Sequence, residues 1–372
     1  MRIAVNGAII GKKPTGLGVY ATNVVKELAT CCTEMIVYTS VPVDGVPVVR
    51  RIPPLVRPEV RLKGHACRLL WTQSVLPWHI MIDRPDVLFN PLPEGPLLGK
   101  IPMVTVTHDL IPLRYPDDHP RQQYYFRHLV PAVLHRSRRI IADSTATKED
   151  IQSFYGIDGE RIAVVPAGYD RTIFVPEGDR WSLSAIPTSM DGHYQLNGYI
   201  LYVGNLFPHK NLARLIRAFR SFWHEFRIAL VIAGDRDPRF ISLLESEIGS
   251  APVFIMDYVS ASILPALYRG AELFVLPSLY EGFGLTPLEA MACGTPVVLS
   301  RTPPLTELAG DAALYFDPMD EVSIAEALRM VLADSALRLS LREKGLRRAQ
   351  LFSWERTARL VFNELSAAAN VE

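Results

Sequence analysis

Short runs of apolar, mostly β-branched residues recur along the chain and alternate with amphipathic stretches of helical length. Continuous rather than alternating apolarity is typical of strands buried on both faces, as in parallel sheets covered by helices. The pattern therefore predicts an α/β protein of the doubly wound class. The predicted strands are residues 3–5, 35–38, 87–89, 104–107, 140–142 and 162–165, then 200–203, 229–233, 254–256, 273–276, 297–299 and 313–316.

Residues 177–197 interrupt this alternation, because they are rich in turn formers and have no hydrophobic period. A chain of 372 residues is also long for one hydrophobic core. We therefore predict two doubly wound domains, 1–178 (completed by a C-terminal helix within 353–372) and 179–352. Ligands are expected between them, at the carboxyl ends of the strands.

Composition narrows the class of protein. Lys and Arg (39) balance Asp and Glu (39), so net charge does not indicate a nucleic-acid partner, and any anion must be bound by a local arrangement. The four cysteines lack metal-ligand spacing, and no apolar run is long enough to span a membrane. We expect a soluble protein of a reducing cytoplasm.

A glycine-rich loop containing Gly16 and Gly18 precedes a helix predicted over residues 19–29. It resembles a dinucleotide fingerprint, but eight or nine residues separate it from the first strand, and the second strand ends without the acid that binds a ribose. An oxidoreductase is therefore disfavoured. A loop of this kind can bind phosphate through free helix amides, or it can be a structural turn.

Two further segments follow strands in the first half. His108 comes directly after a strand and is either a ligand contact or a histidine satisfied within its loop. Ser144 follows the next strand and is either a helix cap or a residue that faces the ligand.

In the second half, Gly204, Asn205, His209 and Lys210 lie between a strand and a helix. A lysine at a helix N-terminus is disfavoured by the helix dipole. Its presence there favours a bound anion, such as a diphosphate, over a solvated side chain.

The strongest constellation is residues 280–298, where a strand leads into a glycine-rich turn and a helix beginning near Thr286. Glu281 precedes the helix and Glu289 lies one turn inside it. A carboxylate accepts two hydrogen bonds from a vicinal diol, and the exposed amides of residues 282–286 suit phosphate or sugar oxygens. Glu289 alone is also explained by its place near a helix start.

The pair Glu281 and Glu289, with seven residues between them, resembles the motif of the retaining glycosyltransferases of family 4. The loop at Gly16, His108-Asp109 and residues 203–211 match in the family's order. The resemblance implies the GT-B fold, in which two Rossmann-like domains face each other across the active site.

The resemblance also implies roles. Glu289 would hold the nucleotide ribose, and Glu281 the donor sugar together with the amides of Gly282, Phe283 and Gly284. Lys210 would neutralise the diphosphate, helped by amides near Gly16 and Gly18 and of Leu285 and Thr286, with Gly204 and Ser144 beside the donor. His108 would contact the transferred sugar, and backbone at Tyr258 and Val259 would pair with the base. The catalytic set is His108, Lys210 and Glu281.

One departure concerns Asn205, where many family members have arginine or lysine; only His209 is a partial substitute here. The implied activity transfers a hexose from a UDP-glucose or GDP-mannose type donor to a saccharide or lipid-linked saccharide, with retention and with no metal or other cofactor. It suggests cell-surface or exopolysaccharide synthesis. The sequence Asp235-Arg-Asp237 superficially resembles the metal-binding Asp-x-Asp of another glycosyltransferase fold, but we interpret it as a turn at the end of a strand. A sugar-nucleotide epimerase and a non-catalytic nucleotide-sugar-binding partner stay open as alternatives.

Residues 50–78 hold six basic residues with Glu59 as the opposing acid, followed by Trp71 and Trp78. Such a segment is either a peripheral contact with the inner face of an anionic membrane or an ordinary solvated face. The basic residues are Arg50, Arg51, Arg57, Arg61, Lys63 and Arg68.

Overall fold

The first part of the chain forms a parallel α/β layer structure in a computed structural model, which describes residues 1–12, 16–32, 34–46, 48–183, 196–234 and 236–370. Its strands are β1 (Arg2–Asn6), β2 (Glu34–Thr39), β3 (Val48–Arg51), β4 (Val87–Asn90), β5 (Met103–Thr107), β6 (Arg139–Ala142) and β7 (Ile162–Val164). Its helices are α1 (Gly16–Cys31), α2 (Arg61–Ser74), α3 (Leu76–Asp83), α4 (Ile111–Arg114), α5 (Gln122–Arg136) and α6 (Thr145–Tyr155).

These strands pair in the order β3-β2-β1-β4-β5-β6-β7, and every neighbouring pair is parallel. The central strands have nearly all their side chains buried, which is why continuous apolar runs predicted them. The edge strand β3 was not predicted. It is largely exposed and ends in Arg50 and Arg51, because an edge strand with little cover needs no apolar run.

The second part repeats this arrangement. Its strands are β8 (Gly198–Val203), β9 (Ile228–Ala233), β10 (Val253–Met256), β11 (Leu273–Leu276), β12 (Val297–Ser300) and β13 (Ala313–Phe316). They pair in parallel in the order β10-β9-β8-β11-β12-β13. The helices are α7 (Leu212–Arg220), α8 (Trp223–Phe226), α9 (Ile241–Ile248), α10 (Leu264–Gly270), α11 (Leu285–Ala292), α12 (Pro303–Ala309), α13 (Glu321–Ala333) and α14 (Ser335–Ala349).

The last helix, α15 (Trp354–Ala369), packs on α1 and on strands β4, β5 and β6. The contacts divide the chain into a first unit, Met1–Gly168 with Phe352–Glu372, and a second unit, Tyr169–Leu351. The boundary thus lies at 168/169, ten residues before the 178/179 boundary expected from the sequence. Most of the expected linker, residues 184–195, lies outside the described residues.

Gly168 marks the point where the two segments of the first unit meet. A Cβ atom at Gly168 would lie 2.3 Å from the backbone of Ser353 and Trp354. No side chain fits at that distance, so glycine allows the start of α15 to pack against the end of the N-terminal segment.

Candidate functional site

In the second unit, the residues that follow β8 and β11 lie at the same edge of the sheet. The two strands are hydrogen-bonded neighbours in parallel, so their carboxyl ends coincide. The loops are also tied to each other. Leu279 N donates to His209 O (2.8 Å), and the Asn211 amide donates to Pro277 O (3.0 Å). Asn211 has a left-handed backbone, with φ of 62°, which ends the turn that carries His209 and Lys210.

This arrangement brings Lys210 and Glu281 into contact, although they lie 71 positions apart in the sequence. Lys210 Nζ lies 2.6 Å from Glu281 Oε1, and each residue is only 9% exposed. Ser278 Oγ donates to the same oxygen at 2.6 Å. Glu281 Oε2 accepts no hydrogen bond from the described residues, so this oxygen keeps its capacity to accept while Oε1 holds the lysine.

The glycine-rich turn after β11 opens α11. Gly284 is the residue before the helix and has φ of 107°, which a residue with a side chain rarely adopts. A Cβ atom there would also lie 3.0 Å from Leu305. Gly282 and Phe283 are buried, whereas Leu285 and Thr286 are half-buried at the first turn, where helix amides have no intrahelical partner. The geometry suits an anion or a polar oxygen at this helix start.

Glu289 lies one turn inside α11 and is held by a buried tyrosine on α10. Tyr268 Oη donates to Glu289 Oε2 at 3.0 Å. Burial raises the pKa of Glu289 to about 7, and the hydrogen bond from Tyr268 opposes this rise. The carboxylate is therefore poised to gain or lose its charge near neutral pH, and its other oxygen is not engaged by Tyr268.

In the first unit, His108 follows β5 and Asp143 follows β6. These strands pair in parallel with Thr107 opposite Ala142, so the next residue of each lies at an equivalent position. His108 Nδ1 is 2.6 Å from Asp143 Oδ2, and Nε2 is 2.9 Å from the Pro91 carbonyl oxygen. The Tyr20 ring of α1 packs edge-on against the imidazole at 4.6 Å. His108 is thus held on three sides.

These contacts define the protonation state of His108. A carbonyl oxygen and a carboxylate only accept hydrogen bonds, so these two contacts favour the imidazolium form, in which both ring nitrogens donate. Burial opposes this charge, but the Asp143 carboxylate and the Pro91 carbonyl outweigh it and raise the pKa of His108. The result is a buried imidazole ring held in place in the loop after β5, with its positive charge favoured by and paired with Asp143.

Comparison with known proteins identifies the family to which this chain belongs. A sequence profile described as Glycosyltransferase Family 4 matches residues 14–173, and one described as Glycosyl transferases group 1 matches residues 192–348. The chain is 32% identical to O-antigen chain mannosyltransferase B of Escherichia coli over 258 residues, 68% of this chain and 67% of that protein. The chain belongs to glycosyltransferase family 4.

Other relatives of this family 4 chain match over between about a third and two thirds of their length. The O-antigen chain mannosyltransferase RfbU of Salmonella typhimurium is 30% identical over 231 residues, 61% of this chain and 60% of its own length. For the serotype-specific mannosyltransferase WbdA of Escherichia coli the match spans 32% of the relative. A D-inositol 3-phosphate glycosyltransferase of Corynebacterium glutamicum is 28% identical over 74% of this chain and 69% of its own.

Solved structures show the fold. Sucrose-phosphate synthase from Thermosynechococcus elongatus matches 99% of this chain and 100% of its own, with a TM-score of 0.78 and 20% identity. HepE from Anabaena, in complex with UDP and glucose, matches 99% of this chain and 100% of its own, with a TM-score of 0.73 and 18% identity. Together with the two parallel sheets, these matches confirm the predicted GT-B fold of two Rossmann-like domains.

The remaining predicted donor residues of this family 4 member occupy loop or helix-start positions. Gly16 and Gly18 lie in the first turn of α1, whose preceding residues 13–15 are outside the described ranges. Ser144 caps α6, and its Oγ accepts from Thr147 N at 3.1 Å, which confirms the capping interpretation. A donor contact by Ser144 stays a prediction.

Gly204 and Asn205 directly follow β8, and Asn205 is exposed. His209 is buried and stacks on the Phe207 ring at 5.8 Å. Tyr258 and Val259 follow β10, and Tyr258 is exposed. The contacts predicted between these residues and the diphosphate or the base of a donor stay predictions.

The basic segment 50–78 differs from the sequence-based expectation. Arg68 is buried against Glu94 at 2.5 Å, and Trp71 is also buried. Arg50 pairs with Asp83 at 2.7 Å, and Arg57 donates to Ser40 Oγ at 2.9 Å. Three of the six basic residues therefore stabilise the first unit internally and are not free for a membrane, because their partners come from other elements of the fold.

Within the described ranges, no group of three or more His, Cys, Asp or Glu residues could hold a metal ion. Asp235 of the Asp-Arg-Asp sequence lies outside those ranges, and Asp237 pairs with Arg239 at 2.6 Å. The same described part of the chain has no helix long and apolar enough to cross a bilayer.

Asp143 was missed as a site residue, although the sequence held a signal for it. His108 and Asp143 each come first after a predicted strand, and neighbouring parallel strands place such residues side by side. The missing information was that β5 and β6 are neighbours in the sheet.

Proposed function

We propose that this chain is a retaining glycosyltransferase that moves a hexose from a nucleotide-diphosphate sugar to a saccharide or lipid-linked saccharide. The observation that carries the proposal is the contact between Lys210 and Glu281 beside the start of α11, with Glu289 one turn further along. It groups a cation, helix amides and two carboxylates, which match the diphosphate and the two sets of hydroxyls of such a donor.

Donor binding would change the partner of Lys210. In the structure Glu281 neutralises the lysine, so a diphosphate that replaces Glu281 at Nζ would leave that carboxylate free for the sugar hydroxyls. The lysine and the helix amides would then stabilise the charge that develops on the leaving nucleotide diphosphate. Glu289 would bind the ribose hydroxyls in its ionised form, because a carboxylate accepts from both.

His108 would contribute a fixed positive charge near the transferred sugar. Its two ring nitrogens already donate to Asp143 and Pro91, so its contribution is electrostatic and positional rather than proton transfer. We propose that the leaving phosphate itself deprotonates the acceptor on the same face of the sugar, which gives retention. No metal enters this scheme.

The substrates proposed are a UDP-glucose or GDP-mannose type donor and an acceptor of a cell-surface or exopolysaccharide pathway. Two relatives are O-antigen mannosyltransferases and one structural match was solved with UDP and glucose, which supports both donor types. The enzyme would act in the cytoplasm at the inner face of a membrane that carries the acceptor.

The test is turnover of a donor panel with and without saccharide acceptors, in the presence of EDTA, with the anomeric configuration of the product determined by NMR. The expected result is a product that has the same anomeric configuration as the donor sugar. It should form only when an acceptor is present. Inversion would contradict the mechanism, and loss of activity in EDTA would contradict metal independence. An isomerised sugar nucleotide without acceptor would favour an epimerase, and donor binding without any turnover would favour a non-catalytic partner.

A further inference from the structure

Two consecutive helices of the first unit have apolar outward faces. On α2, Leu62, Ala66 and Leu70 are spaced four residues apart and all are exposed, so they line one side of the helix. On α3, Trp78, Met81 and Ile82 share one face by the same geometry. The five larger side chains of this group are each more than half exposed. We call Leu62, Leu70, Trp78, Met81 and Ile82 the apolar face.

This pattern is the reverse of an ordinary surface helix, which shows its polar residues to water. The buried side of the same segment is well formed, since Trp71 and Leu76 belong to the core with Tyr38 and Leu88. A poorly formed core therefore does not explain why these helices expose apolar residues. Concentrated apolar exposure of this kind on a folded unit indicates a contact surface.

Positive charge borders the apolar face. Residues 50–86 contain seven arginines or lysines and three acids. Arg51, Lys63 and Arg84 are exposed and form no ion pair with any described residue. Lys63 lies beside Leu62, and Arg84 directly follows α3. Apolar side chains bordered by unpaired basic residues are complementary to a lipid bilayer, in which acyl chains lie beneath anionic headgroups.

We propose that the apolar face, with Arg51, Lys63 and Arg84, is the surface by which this chain lies on a bilayer containing anionic lipids. Tryptophan favours the headgroup level of a bilayer, and Trp78 is well placed to reach it. Lys63 and Arg84 would pair with lipid phosphates while Leu62, Leu70, Met81 and Ile82 enter the acyl boundary. This location deepens the proposed function and rests on it, because a chain lying on the bilayer could reach an acceptor carried by that membrane.

The test measures binding of the full chain to vesicles, without any nucleotide sugar, so that failure here leaves the transfer activity to be judged separately. Vesicles of phosphatidylglycerol and phosphatidylcholine in equal parts are compared with phosphatidylcholine alone by flotation. Each basic residue near an anionic surface contributes about 1 kcal/mol, or about fivefold in partitioning. Binding should therefore be on the order of 100-fold stronger to the anionic vesicles and should weaken at high salt.

Two variants separate the apolar and charged contributions. Trp78→Ser with Met81→Ser and Ile82→Ser should reduce binding to anionic vesicles by at least about 30-fold, because three interfacial side chains are lost. Arg51→Gln with Lys63→Gln and Arg84→Asn should remove most of the salt dependence; asparagine is used because Arg84 has a left-handed backbone. Exposed positions are chosen so that folding is kept, which circular dichroism checks.

The matched apolar control is Met319→Ser with Val322→Ser and Leu339→Ser, which are equally exposed but lie in the second unit. The matched charge control is Lys100→Gln with Arg127→Gln and Arg180→Gln. Both controls should bind vesicles like the unchanged protein. The proposal is overturned if the unchanged protein does not bind anionic vesicles, if the controls lose as much binding, or if the serine variant instead abolishes self-association or binding of a protein partner while vesicle binding persists.

Discussion

Both units have a buried contact between a carboxylate and a cationic side chain at the carboxyl edge of the sheet, and the Lys210–Glu281 and His108–Asp143 contacts are built differently. Lys210 meets Glu281 at 2.6 Å, and His108 meets Asp143 at the same distance. In both, neighbouring parallel strands bring the partners together. His108 is held at both ring nitrogens, however, whereas Lys210 is held at the end of a flexible side chain.

The difference suggests two uses of buried charge. A lysine can leave one carboxylate for a ligand by rotating its side chain, since its single charged group is a point donor. An imidazolium held by Asp143, Pro91 and the Tyr20 ring cannot move without losing several contacts. We infer that the second unit provides an exchangeable charge and the first unit a fixed one.

The largest effect is expected from Lys210→Met. Transfer should fall by at least about 10³-fold, because a preorganised charge at the leaving group is lost. Stability should fall by about 3–5 kcal/mol, because Glu281 is left buried and unpaired. Adding Glu281→Gln should recover most of the melting temperature but none of the transfer. Lys344→Met, which removes an exposed ion pair with Asp311, should leave both nearly unchanged. Recovery of transfer in the double variant would show that Lys210 serves only the fold.

A smaller effect is expected from Asp143→Asn. The amide can still accept from His108, but without the carboxylate burial should lower the pKa of the imidazole, and transfer should fall on the order of 10-fold to 100-fold. The raised pKa of His108 stabilises the folded protein fully below its unfolded value near 6.5, and this stabilisation is lost as pH rises through the folded pKa.

Denaturant unfolding between pH 6 and 9 measures this dependence. The unchanged protein should lose stability as pH rises through the folded pKa of His108, and Asp143→Asn should lack that component. Glu149→Gln, an exposed acid of α6, is the control. Parallel pH profiles for all three proteins would contradict an imidazolium at His108.

In the second unit, the ionisation of Glu289 should make both stability and nucleotide affinity depend on pH. Because its folded pKa is raised to about 7, the free protein is stabilised at acid pH, and this stabilisation is lost as pH rises through that value. The proposed function has Glu289 bind the ribose in its charged form, so nucleoside diphosphate affinity should improve about tenfold from pH 6 to pH 8. Glu289→Gln should bind weakly at all pH values.

Tyr268→Phe sharpens the same experiment. Removing the hydroxyl removes the hydrogen bond that lowers the pKa of Glu289, so the midpoint of the affinity profile should move to higher pH. Tyr199→Phe, which removes another buried hydroxyl bonded to the Leu267 carbonyl, should leave the midpoint unchanged. Equal shifts in the two variants would mean that Tyr268 does not position Glu289.

The smallest effect is expected from Ser278→Ala. It removes one of two donors to Glu281 Oε1 while Lys210 remains, so the loss is about 1 kcal/mol. Donor KM should rise about fivefold with kcat nearly constant. Ser246→Ala, whose hydroxyl is exposed and bonded to the Leu243 carbonyl, is the control. A large fall in kcat would show that the hydroxyl acts in the transition state.

The sequence predicted what depends on burial alone. All strands with continuous apolar runs are present, because residues buried on both faces cannot be polar. The helix start at α11 and the Ser144 cap follow from local chemistry and were also predicted. Neither burial nor local chemistry predicts the edge strand β3, because β3 becomes a strand by pairing with β2.

Pairing between distant residues explains the other differences. Arg68 looked like a surface charge because Glu94, its partner, is 26 residues away. Asp143 was missed because its relation to His108 depends on strand order. Lys210 and Glu281 were expected to bind separate parts of a donor, but their direct contact depends on β8 and β11 being neighbours. Strand order was the information that local patterns did not contain.

The position of α15 affects the order in which the protein can be assembled on the ribosome. Trp354 packs against Tyr20, and Arg139 pairs with Glu364, so the first unit needs residues that are synthesised after the whole second unit. The second unit ends at Leu351 and can complete its packing earlier. Although domains are generally made and folded from the N-terminus onward, here the N-terminal unit is the one that finishes last.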